Sequence, residues 1–321
     1  MLNVAILCGG DSSEYEISLK SAQTVLDNLP KEKYNAFLVV CKTGSWKVNE
    51  QFEIDKTDFS FTDDTGKKTK FDFAYITIHG TPGEDGKMQG YLDMLNIPYN
   101  TPSQWASTVT FNKWTTTTLL KSIGIKAAKS ILLHKNQSFD YQHIEKEIGF
   151  PCFVKPNAAG SSFGVSKVNS LQDLPDAISK AFAESNEVLV ESFMKGREVT
   201  CGCFSDGKKI HTLPVTEIIS DNDFFDYDAK YHGKSKEVTP ADIPQDIFSS
   251  VQETTKFIYQ ALNLKGVIRI DYILQNNEPW VIEINTTPGL SAQSIIPQQV
   301  KAYGMNLSDF FDSIINVNLN P

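Results

Sequence analysis

Apolar residues along the chain follow two patterns, which predict alternating strands and helices in its first third. Short apolar runs are typical of buried strands, and three occur here, at residues 3–8, 34–41 and 71–78. Apolar residues recur at helical spacing over residues 17–29, just before a proline. Strand, glycine-rich turn and helix begin a βαβ unit, so we predict an N-terminal parallel sheet. The polar residues 42–70 predict a loop or a small hairpin.

The rest of the chain mixes the same two patterns. Further strands are predicted at residues 150–156, 187–191, 199–204 and 210–214. Helices are predicted at residues 105–123, 173–184, 239–262 and 298–318. Two prolines within residues 97–103 interrupt regular structure, and we predict a domain boundary there. The pattern as a whole indicates an α/β chain whose later part is of the α+β kind.

A β-hairpin is predicted near the C-terminal end. Residues 267–274 and 280–285 are rich in β-branched and aromatic residues, and the polar segment 275–279 separates them. If those five residues form the loop, the strand register sets Asp271 opposite Glu283. The same register sets the preceding arginine of one strand opposite the asparagine that ends the other.

The polar side chains of this hairpin predict a metal site. Asp271 and Glu283 would repel each other among Ile and Val neighbours, and a divalent cation between them removes that cost. With Asn285 they offer only oxygen ligands, which suit Mg²⁺ or Mn²⁺ rather than Zn²⁺. The alternative is a solvated surface hairpin in which Arg269 simply neutralises Asp271.

Composition narrows the classes of partner. The 321-residue chain is long enough for two or three domains, and its formal net charge is −9. No Lys/Arg-rich block appears, so nucleic acid is not expected as a partner. No apolar run approaches the roughly 18 residues of a membrane span, and the start lacks a cationic signal-peptide head. The five cysteines indicate buried free thiols rather than disulfides or a zinc site, so we expect a cytoplasmic protein.

Three glycine-rich turns follow predicted strands, where backbone N–H groups can bind anions. The first, at residues 9–13, precedes Glu14 and a helix N-terminus. The second, at residues 79–90, begins with a histidine at the end of a strand, where α/β folds bind ligands. The third, at residues 157–165, consists of small residues that let a backbone approach phosphates. None has the spacing of a dinucleotide fingerprint or a Walker loop, which argues against an NAD-dependent dehydrogenase.

Taken singly, the candidate residues also have structural interpretations. Glu14 could stand in a first helical turn because the helix dipole favours it there. His79 could be a satisfied structural residue, and Lys113 could be a solvated residue inside the helix predicted around it. Phe193 and Met194 could belong to the core. Residue types alone leave these alternatives open.

In order and spacing, these motifs resemble the ATP-grasp ligases, and in particular the D-alanine–D-alanine ligase family. Arg-x-Asp at residues 269–271 and Glu-x-Asn-x-x-Pro-Gly at residues 283–289 look like that family's metal and phosphate hairpin. Residues 79–90 closely resemble its motif His-Gly-x-x-Gly-Glu-Asp-Gly-x-x-Gln-Gly. The resemblance covers nearly the whole chain and implies a three-domain ATP-grasp architecture with an N-terminal Rossmann-like sheet. The implied domains are residues 1–100 (N-terminal α/β), 101–190 (central ATP-grasp subdomain) and 191–321 (C-terminal ATP-grasp domain).

The resemblance implies ATP-dependent ligation of two D-alanines through D-alanyl phosphate, for peptidoglycan synthesis, with two Mg²⁺ or Mn²⁺ ions. The implied metal ligands are Asp271, Glu283 and Asn285. The residues implied to contact ATP are Lys113, Lys155, Ser162, Glu191, Phe193, Met194, Glu198 and Lys230. Those implied to contact D-alanine are Glu14, His79, Arg269, Gly289, Ser294 and Ile295. Those implied to act in catalysis are Glu14, Ser161, Tyr231, Arg269 and Gly289, with Ser161 and Tyr231 in a contact that closes the site.

Some features leave alternatives within the resemblance. Ala159 and Gln293 stand where some family members carry Glu and His. Tyr231 favours an amine as second nucleophile, because members that make D-alanyl-D-lactate commonly lack this tyrosine. A D-alanine–D-lactate ligase or another ATP-grasp ligase is the alternative of the same class, and a non-catalytic nucleotide-binding protein is the alternative of another class. A homodimer is usual in such ligases, although no interface can be read from the sequence.

Overall fold

The computed structural model of the chain describes residues 1–158, 160, 164–220 and 235–319. Strands alternate with helices along it, as the apolar pattern predicts. The helices are α1 (Tyr15–Asn28), α2 (Lys87–Met94), α3 (Gln104–Phe111), α4 (Lys113–Ser122), α5 (Tyr141–Ile148), α6 (Leu174–Glu184), α7 (Gln245–Ala261), α8 (Ile295–Ala302) and α9 (Leu307–Leu319). Within the described ranges, no helix is both long enough and apolar enough to cross a membrane.

Seven strands form the N-terminal sheet, in the order β6-β5-β4-β3-β2-β1-β7. They are β1 (Leu2–Gly9), β2 (Tyr34–Lys42), β3 (Ser45–Val48), β4 (Phe52–Asp55), β5 (Ser60–Thr62), β6 (Lys68–Lys70) and β7 (Phe73–Ile76). Strand β1 pairs in parallel with both β2 and β7, which confirms the predicted parallel sheet.

The prediction of a loop or small hairpin at residues 42–70 is wrong. Strands β3 to β6 extend the sheet as an antiparallel meander. Each has only three or four residues, too few to show an alternating pattern in the sequence. Aromatic packing stabilises them: Phe61 lies 5.4 Å from Phe37 and 5.8 Å from Phe71, measured between ring centroids.

A second sheet follows, with four antiparallel strands in the order β10-β9-β11-β8. They are β8 (Ser130–His134), β9 (Cys152–Pro156), β10 (Ser166–Val168) and β11 (Glu187–Ser192). Helices α5 and α6 cover one face, and Ile144, Leu174 and Ile178 pack there against Val154 and Val190.

The third sheet has six strands, in the order β15-β14-β12-β16-β17, with β13 also paired to β12. They are β12 (Arg197–Ser205), β13 (Ile210–Thr212), β14 (Thr216–Ser220), β15 (Ser235–Val238), β16 (Ile268–Gln275) and β17 (Glu278–Asn285). Helices α3, α4 and α7 pack on this sheet through Ala106, Leu120, Val251 and Ile258.

The predicted helix over residues 105–123 is wrong in one respect that matters for the site. Asn112 has an extended backbone (ψ 103°) and separates α3 from α4, and its side chain accepts a hydrogen bond from the Thr115 N–H. Asparagine favours such a cap because its side chain competes for backbone groups. Lys113 is therefore the first residue of α4 rather than an interior residue.

Two further helix predictions are wrong at their bounds. Helix α7 begins at Gln245 rather than at residue 239, because Pro240 and Pro244 keep the preceding residues out of the helix. The stretch predicted as one helix at residues 298–318 is two helices, α8 and α9. They are separated near Gly304, whose φ of 87° an α-helix does not allow.

One apolar core joins the two ends of the chain. Val4, Ile6 and Tyr75 of the N-terminal sheet share it with Ile296 of α8 and Phe311 of α9. Tyr75 and Phe311 meet edge to face with ring centroids 5.8 Å apart. This core brings the C-terminal helices against the N-terminal sheet, and with them the residues around position 289.

Candidate active site

The polar residues of the hairpin of β16 and β17 pair as predicted, although the turn that joins the two strands is shorter than predicted. Asp271 lies opposite Glu283, and Arg269 lies opposite Asn285, as predicted. The predicted five-residue loop is wrong, because Gln275 pairs with Glu278 across a two-residue turn. A bulge between Asp271 and Tyr272 shifts the register by one residue and restores the predicted pairing.

The Asp271 carboxylate is held from three sides. Arg269 donates to both of its oxygens, at 2.8 and 2.9 Å. Thr200 donates to Oδ1 at 2.5 Å, and Asn285 donates to Oδ2 at 3.0 Å. Bidentate contact with arginine is among the stronger charge-assisted hydrogen bonds. Arg269 thus does neutralise Asp271 in this structure, yet only 8% of the Asp271 side chain is exposed, so the pair is not a solvated surface feature.

Two lysines predicted to contact phosphate also pair with carboxylates. Lys113, at the start of α4, has its Nζ 3.2 Å from Oε2 of Glu283. Lys155, at the end of β9, has its Nζ 2.5 Å from Oε2 of Glu191 on β11. Both members of the second pair are buried. The structure therefore brings the predicted cations and the predicted carboxylates together, each cation beside a carboxylate.

The phosphate-loop region is anchored by a residue that the sequence motifs did not single out. Asn157 is fully buried; its carbonyl oxygen accepts from the Lys113 N–H, and its Oδ1 accepts from the Trp114 N–H. Its Nδ2 donates to Glu187 at 2.7 Å. A polar residue directly after a Lys-Pro strand end was the available signal. Asn157 fixes the start of this loop against the N-terminus of α4, where the predicted ATP contacts begin.

Glu14 lies against the same loop. A Cβ added to Gly160 would lie 2.6 Å from Oε2 of Glu14, so the loop backbone passes close to this carboxylate. The Glu14 N–H is bound by Ser12, whose hydroxyl donates to the carbonyl oxygen of His79. The first two glycine-rich turns therefore meet here, as their positions at the ends of parallel strands predict.

His79 is buried, and its Nε2 atom has no hydrogen-bond partner among the residues that the structure describes. A buried polar atom without a partner is costly and points to a ligand that completes it. Nearby, Glu84 accepts from the N–H groups of Gly80 and Thr287. Burial raises the pKa of Glu84, opposed by His79 and reinforced by Glu14. Glu84 was not among the predicted site residues, although it belongs to the motif at residues 79–90.

The segment after β17 docks onto the N-terminal sheet. The Thr287 hydroxyl donates to the Ile78 carbonyl at 3.1 Å, and the Leu290 N–H is bound by the Ser21 hydroxyl at 3.1 Å. Between them lies Gly289, where an added Cβ would come within 2.8 Å of Oγ of Ser294. Ser294 precedes α8, and the buried Ile295 is its first residue. Gly289, Ser294 and Ile295 are thus brought together.

The predicted adenine contacts lie outside the four main apolar clusters. Phe193 and Met194 are half-buried and follow the end of β11. The ammonium of Lys167 lies 5.2 Å from the centre of the Phe193 ring, and the Phe153 ring lies 6.0 Å from it. Glu198 follows on β12, opposite Ile273 of β16. An accessible aromatic and thioether pair between two sheets suits an adenine slot better than core packing does.

Four predicted site residues lie outside the described residues, namely Ser161, Ser162, Lys230 and Tyr231. The same holds for Ala159. The predicted Ser161–Tyr231 contact and the phosphate contact of Lys230 therefore stay predictions.

The chemistry of the hairpin suits a hard divalent cation. Glu283, Asp271 and Asn285 present oxygen ligands from two adjacent strands, beside Lys113 at the start of α4. Within the described ranges, no group of three or more His, Cys, Asp and Glu side chains is placed to hold a metal ion. The predicted set has two carboxylates and one amide, which fits Mg²⁺, since Mg²⁺ takes few protein ligands and completes its shell with water and phosphate.

Two family models and many curated relatives match this chain. The family model "D-ala D-ala ligase N-terminus" matches residues 3–102, and "D-ala D-ala ligase C-terminus" matches residues 119–316. The D-alanine–D-alanine ligase of Phocaeicola vulgatus is 49% identical over 317 residues, which cover 97% of this chain and 98% of that protein.

Solved structures are similar over the whole chain. The D-alanyl-alanine synthetase A of Vibrio cholerae has a TM-score of 0.90 at 27% identity and covers 100% of this chain and 99% of its own. The D-alanine–D-alanine ligase of Bacillus anthracis complexed with ATP has a TM-score of 0.81 at 29% identity, with 99% of this chain and 98% of that chain covered. The ATP-grasp fold predicted from the motifs is thereby confirmed. With family models matching both halves and a relative of nearly 50% identity along its length, the chain belongs to the D-alanine–D-alanine ligase family.

Proposed function

We propose that this protein joins two D-alanine molecules into D-alanyl-D-alanine with ATP, for the peptidoglycan cell wall, and that the residues assembled above perform the reaction. The observation that carries this proposal is the facing pair Asp271 and Glu283, each held by a cation. Family membership supports the overall activity. The positions of Arg269, Lys113 and Lys155 support the individual roles.

In the first step, a carboxylate oxygen of one D-alanine attacks the γ-phosphorus of ATP. A new O–P bond forms while the bond to the ADP oxygen breaks, which gives D-alanyl phosphate and ADP. Negative charge accumulates on the transferring group, so the protein's main contribution is positioning and electrostatic stabilisation. Lys113, Lys155 and Arg269 supply positive charge there. Glu14 binds the ammonium of this D-alanine, and His79 lies against it with its unpartnered Nε2.

Asp271, Glu283 and Asn285 would hold the divalent ions. When bound, Mg²⁺ or Mn²⁺ neutralises the triphosphate and polarises its oxygens. With the ions and ATP bound, Asp271 and Glu283 would contact the ions, and Arg269 and Lys113, which lie beside them, would contact phosphate oxygens. Each charged side chain of this partly buried site would then still have a partner of opposite charge.

In the second step, the amine of another D-alanine attacks the acyl carbon, and phosphate leaves. The tetrahedral intermediate carries an oxyanion, which the backbone near Gly289 stabilises. Ser294 and Ile295 hold the second D-alanine at the start of α8. Phosphate or water accepts the proton that the amine releases.

The direct test is phosphate release by the purified protein with ATP, Mg²⁺ and a panel of D- and L-amino acids. We expect release that depends on D-alanine and yields a dipeptide detectable by mass spectrometry. Phosphate release without D-alanine dependence would contradict the substrate assignment. Absence of any ATP hydrolysis would instead revive a non-catalytic nucleotide-binding role.

The second acceptor is tested separately. With D-lactate in place of the second D-alanine, we expect little ester product at neutral pH, because the proposal assigns an amine nucleophile. Efficient formation of D-alanyl-D-lactate would overturn this part alone.

A cytoplasmic location is supported by the five cysteines, all of which are free and buried. A homodimer is also proposed, and sedimentation velocity tests it.

A further inference from the structure

Gln299, on helix α8, has a fully buried side-chain amide. Its Oε1 accepts from the Gly202 N–H at 3.0 Å. Its Nε2 donates to the Thr200 carbonyl at 3.1 Å and to the Thr216 hydroxyl at 3.0 Å. Burying an amide without such partners would cost free energy, so a fully bonded one specifies a single position for the helix that carries it.

The two backbone groups that Gln299 binds lie where the partner of β12 changes from β14 to β13. Thr200 pairs with Thr216 of β14, whereas Cys203 pairs with Thr212 of β13. The chain advances by three residues from Thr200 to Cys203, but by four from Thr212 to Thr216 on the paired strands. The extra residue forms a β-bulge. The side-chain amide of Gln299 bonds to the strand there as a backbone amide of a neighbouring strand would.

Gly202 makes this approach possible. A Cβ at Gly202 would lie 2.6 Å from Oε1 of Gln299 and 2.7 Å from Cδ1 of Ile296, both on α8. Helix α8 therefore lies directly on the backbone of β12 at this point. Any side chain at position 202 would push the helix away from the strand.

Along its other edge, the same strand segment pairs with β16 of the hairpin that carries Asp271 and Arg269. Thr200 lies opposite Asp271 and donates to its Oδ1 at 2.5 Å. Gly202 lies opposite Arg269. One short segment of β12 thus binds the hairpin on one side and Gln299 on the other. Helix α8 begins with Ile295, directly after Ser294, four residues before this anchor.

The adjacent glutamine makes a second link from the same helix. Nε2 of Gln298 donates to Oε2 of Glu237 on β15 at 2.7 Å. Thr216 also bonds to Thr239, which follows β15, at 2.6 Å between the hydroxyl oxygens. Helix α8 is therefore tied to β12, β14 and β15 by polar contacts, in addition to its apolar packing.

We propose that Gln299 is a positioning residue that fixes α8, and with it the subsite for the second D-alanine, relative to Asp271 and Arg269. This inference rests on the proposed function, because it takes Ser294 and Ile295 as the second-substrate contacts. Reaction between an amine and an acyl phosphate depends on their relative placement, and a shift near 1 Å is costly. The amide sets that placement through the strand that both groups share.

The test compares Gln299→Met with Gln252→Met. Gln252, on α7, donates to the carbonyl of Leu213 at 3.0 Å and so supports the same bulge from a different helix. Initial rates over a wide D-alanine range resolve the two binding steps. For Gln299→Met we expect the KM of the second D-alanine to rise about tenfold, with the KM values of ATP and the first D-alanine within about twofold of wild type. Gln252→Met should leave all three unchanged, although its melting temperature falls.

Three outcomes separate the proposals. If the wild type shows no D-alanine-dependent phosphate release, the proposed function itself is wrong. Active wild type with an unchanged second KM in Gln299→Met overturns the positioning role, as does an equal rise in Gln252→Met. If Gln299→Met does not fold, Thr216→Val removes one of the three bonds with little change of shape. It should raise the same KM by a smaller factor, and no rise in that variant overturns the inference.

Discussion

Nζ of Lys155 lies 2.5 Å from Oε2 of Glu191, and both side chains are more than 90% buried. The same kind of pairing recurs at Lys113 with Glu283 and at Arg269 with Asp271. Each of these three cations, among those proposed for the triphosphate, is thus paired with a carboxylate. A buried charge without a partner would be strongly destabilising, so these pairs stabilise a part of the fold that brings several cations together.

The Lys155–Glu191 pair leads to a prediction about stability and binding together. Lys155→Met leaves Glu191 buried without its partner, and we expect a loss of roughly 3–5 kcal/mol in the free energy of unfolding. The double variant Lys155→Met/Glu191→Met should regain most of that stability but not ATP affinity, because the phosphate contact is still missing. Urea unfolding and nucleotide titration calorimetry measure the two effects. Restored ATP binding in the double variant would contradict the role given to Lys155.

Asp271→Asn should lower activity and also stability, because the neutral amide leaves Arg269 without its carboxylate. The amide keeps the shape of the side chain but removes one negative charge from the proposed metal site. We expect kcat to fall by about 10²–10³-fold, the scale of losing one electrostatic contact to a transition state. The Mg²⁺ concentration for half-maximal rate should rise. Glu278→Gln, at the turn of the same hairpin, is the matched control and should behave as wild type in both measurements.

His79→Phe should separate ligand binding from stability. The buried Nε2 of His79 has no partner within the described residues, so an aromatic ring without polar atoms removes an unfavourable burial term. We expect an unchanged or slightly higher melting temperature and a KM for the first D-alanine raised about tenfold or more, on the scale of a lost hydrogen bond to a charged group. The KM for ATP should not change. A large loss of stability with an unchanged KM would assign His79 a structural role instead.

Glu237→Gln should change how stability depends on pH. Burial raises the pKa of Glu237, opposed by its hydrogen bond from Gln298 and by the charge of Arg269. Above the ordinary glutamate pKa of about 4.3, the unfolded chain releases this proton while the folded chain retains it. The wild type therefore loses stability as the pH rises from the pKa of the unfolded chain to the higher pKa of the folded chain.

The variant lacks this titration, so its stability relative to wild type should increase between pH 4 and pH 7. Urea unfolding at both pH values measures the difference. Glu253→Gln, at an exposed position of α7, serves as the control. An identical offset at both pH values for Glu237→Gln would contradict the prediction.

The hairpin of β16 and β17 has the predicted pairing of its carboxylates, although the predicted loop length was wrong. Local composition correctly identified both strands and their facing carboxylates. The turn is shorter than predicted because Asn276 and Asn277, with φ of 53° and 64°, close it in two residues. The two-residue turn alone would set Asp271 opposite Ile282, but the bulge beside Asp271 restores its pairing with Glu283. A bulge depends on cross-strand packing, for which the sequence carries no separate signal.

Other parts of the site depended on contacts between distant segments. Asn157 binds the start of α4, and Glu84 binds the Thr287 N–H, 203 residues away along the chain. Neither contact has a periodic pattern or a local spacing that would reveal it. The break at Asn112, which makes Lys113 the first residue of α4, is a local event, yet the surrounding apolar pattern is equally consistent with one continuous helix.

The sequence by itself determined the alternation of strands and helices in the first third, the two facing carboxylates and the motifs that belong to the D-alanine–D-alanine ligase family. These depend on residue type and short spacing, which act locally. Only the tertiary structure decided which cation pairs with which carboxylate, and how Gln299 joins α8 to β12. Those pairings form between segments far apart in the chain, so they follow from packing and not from any local pattern.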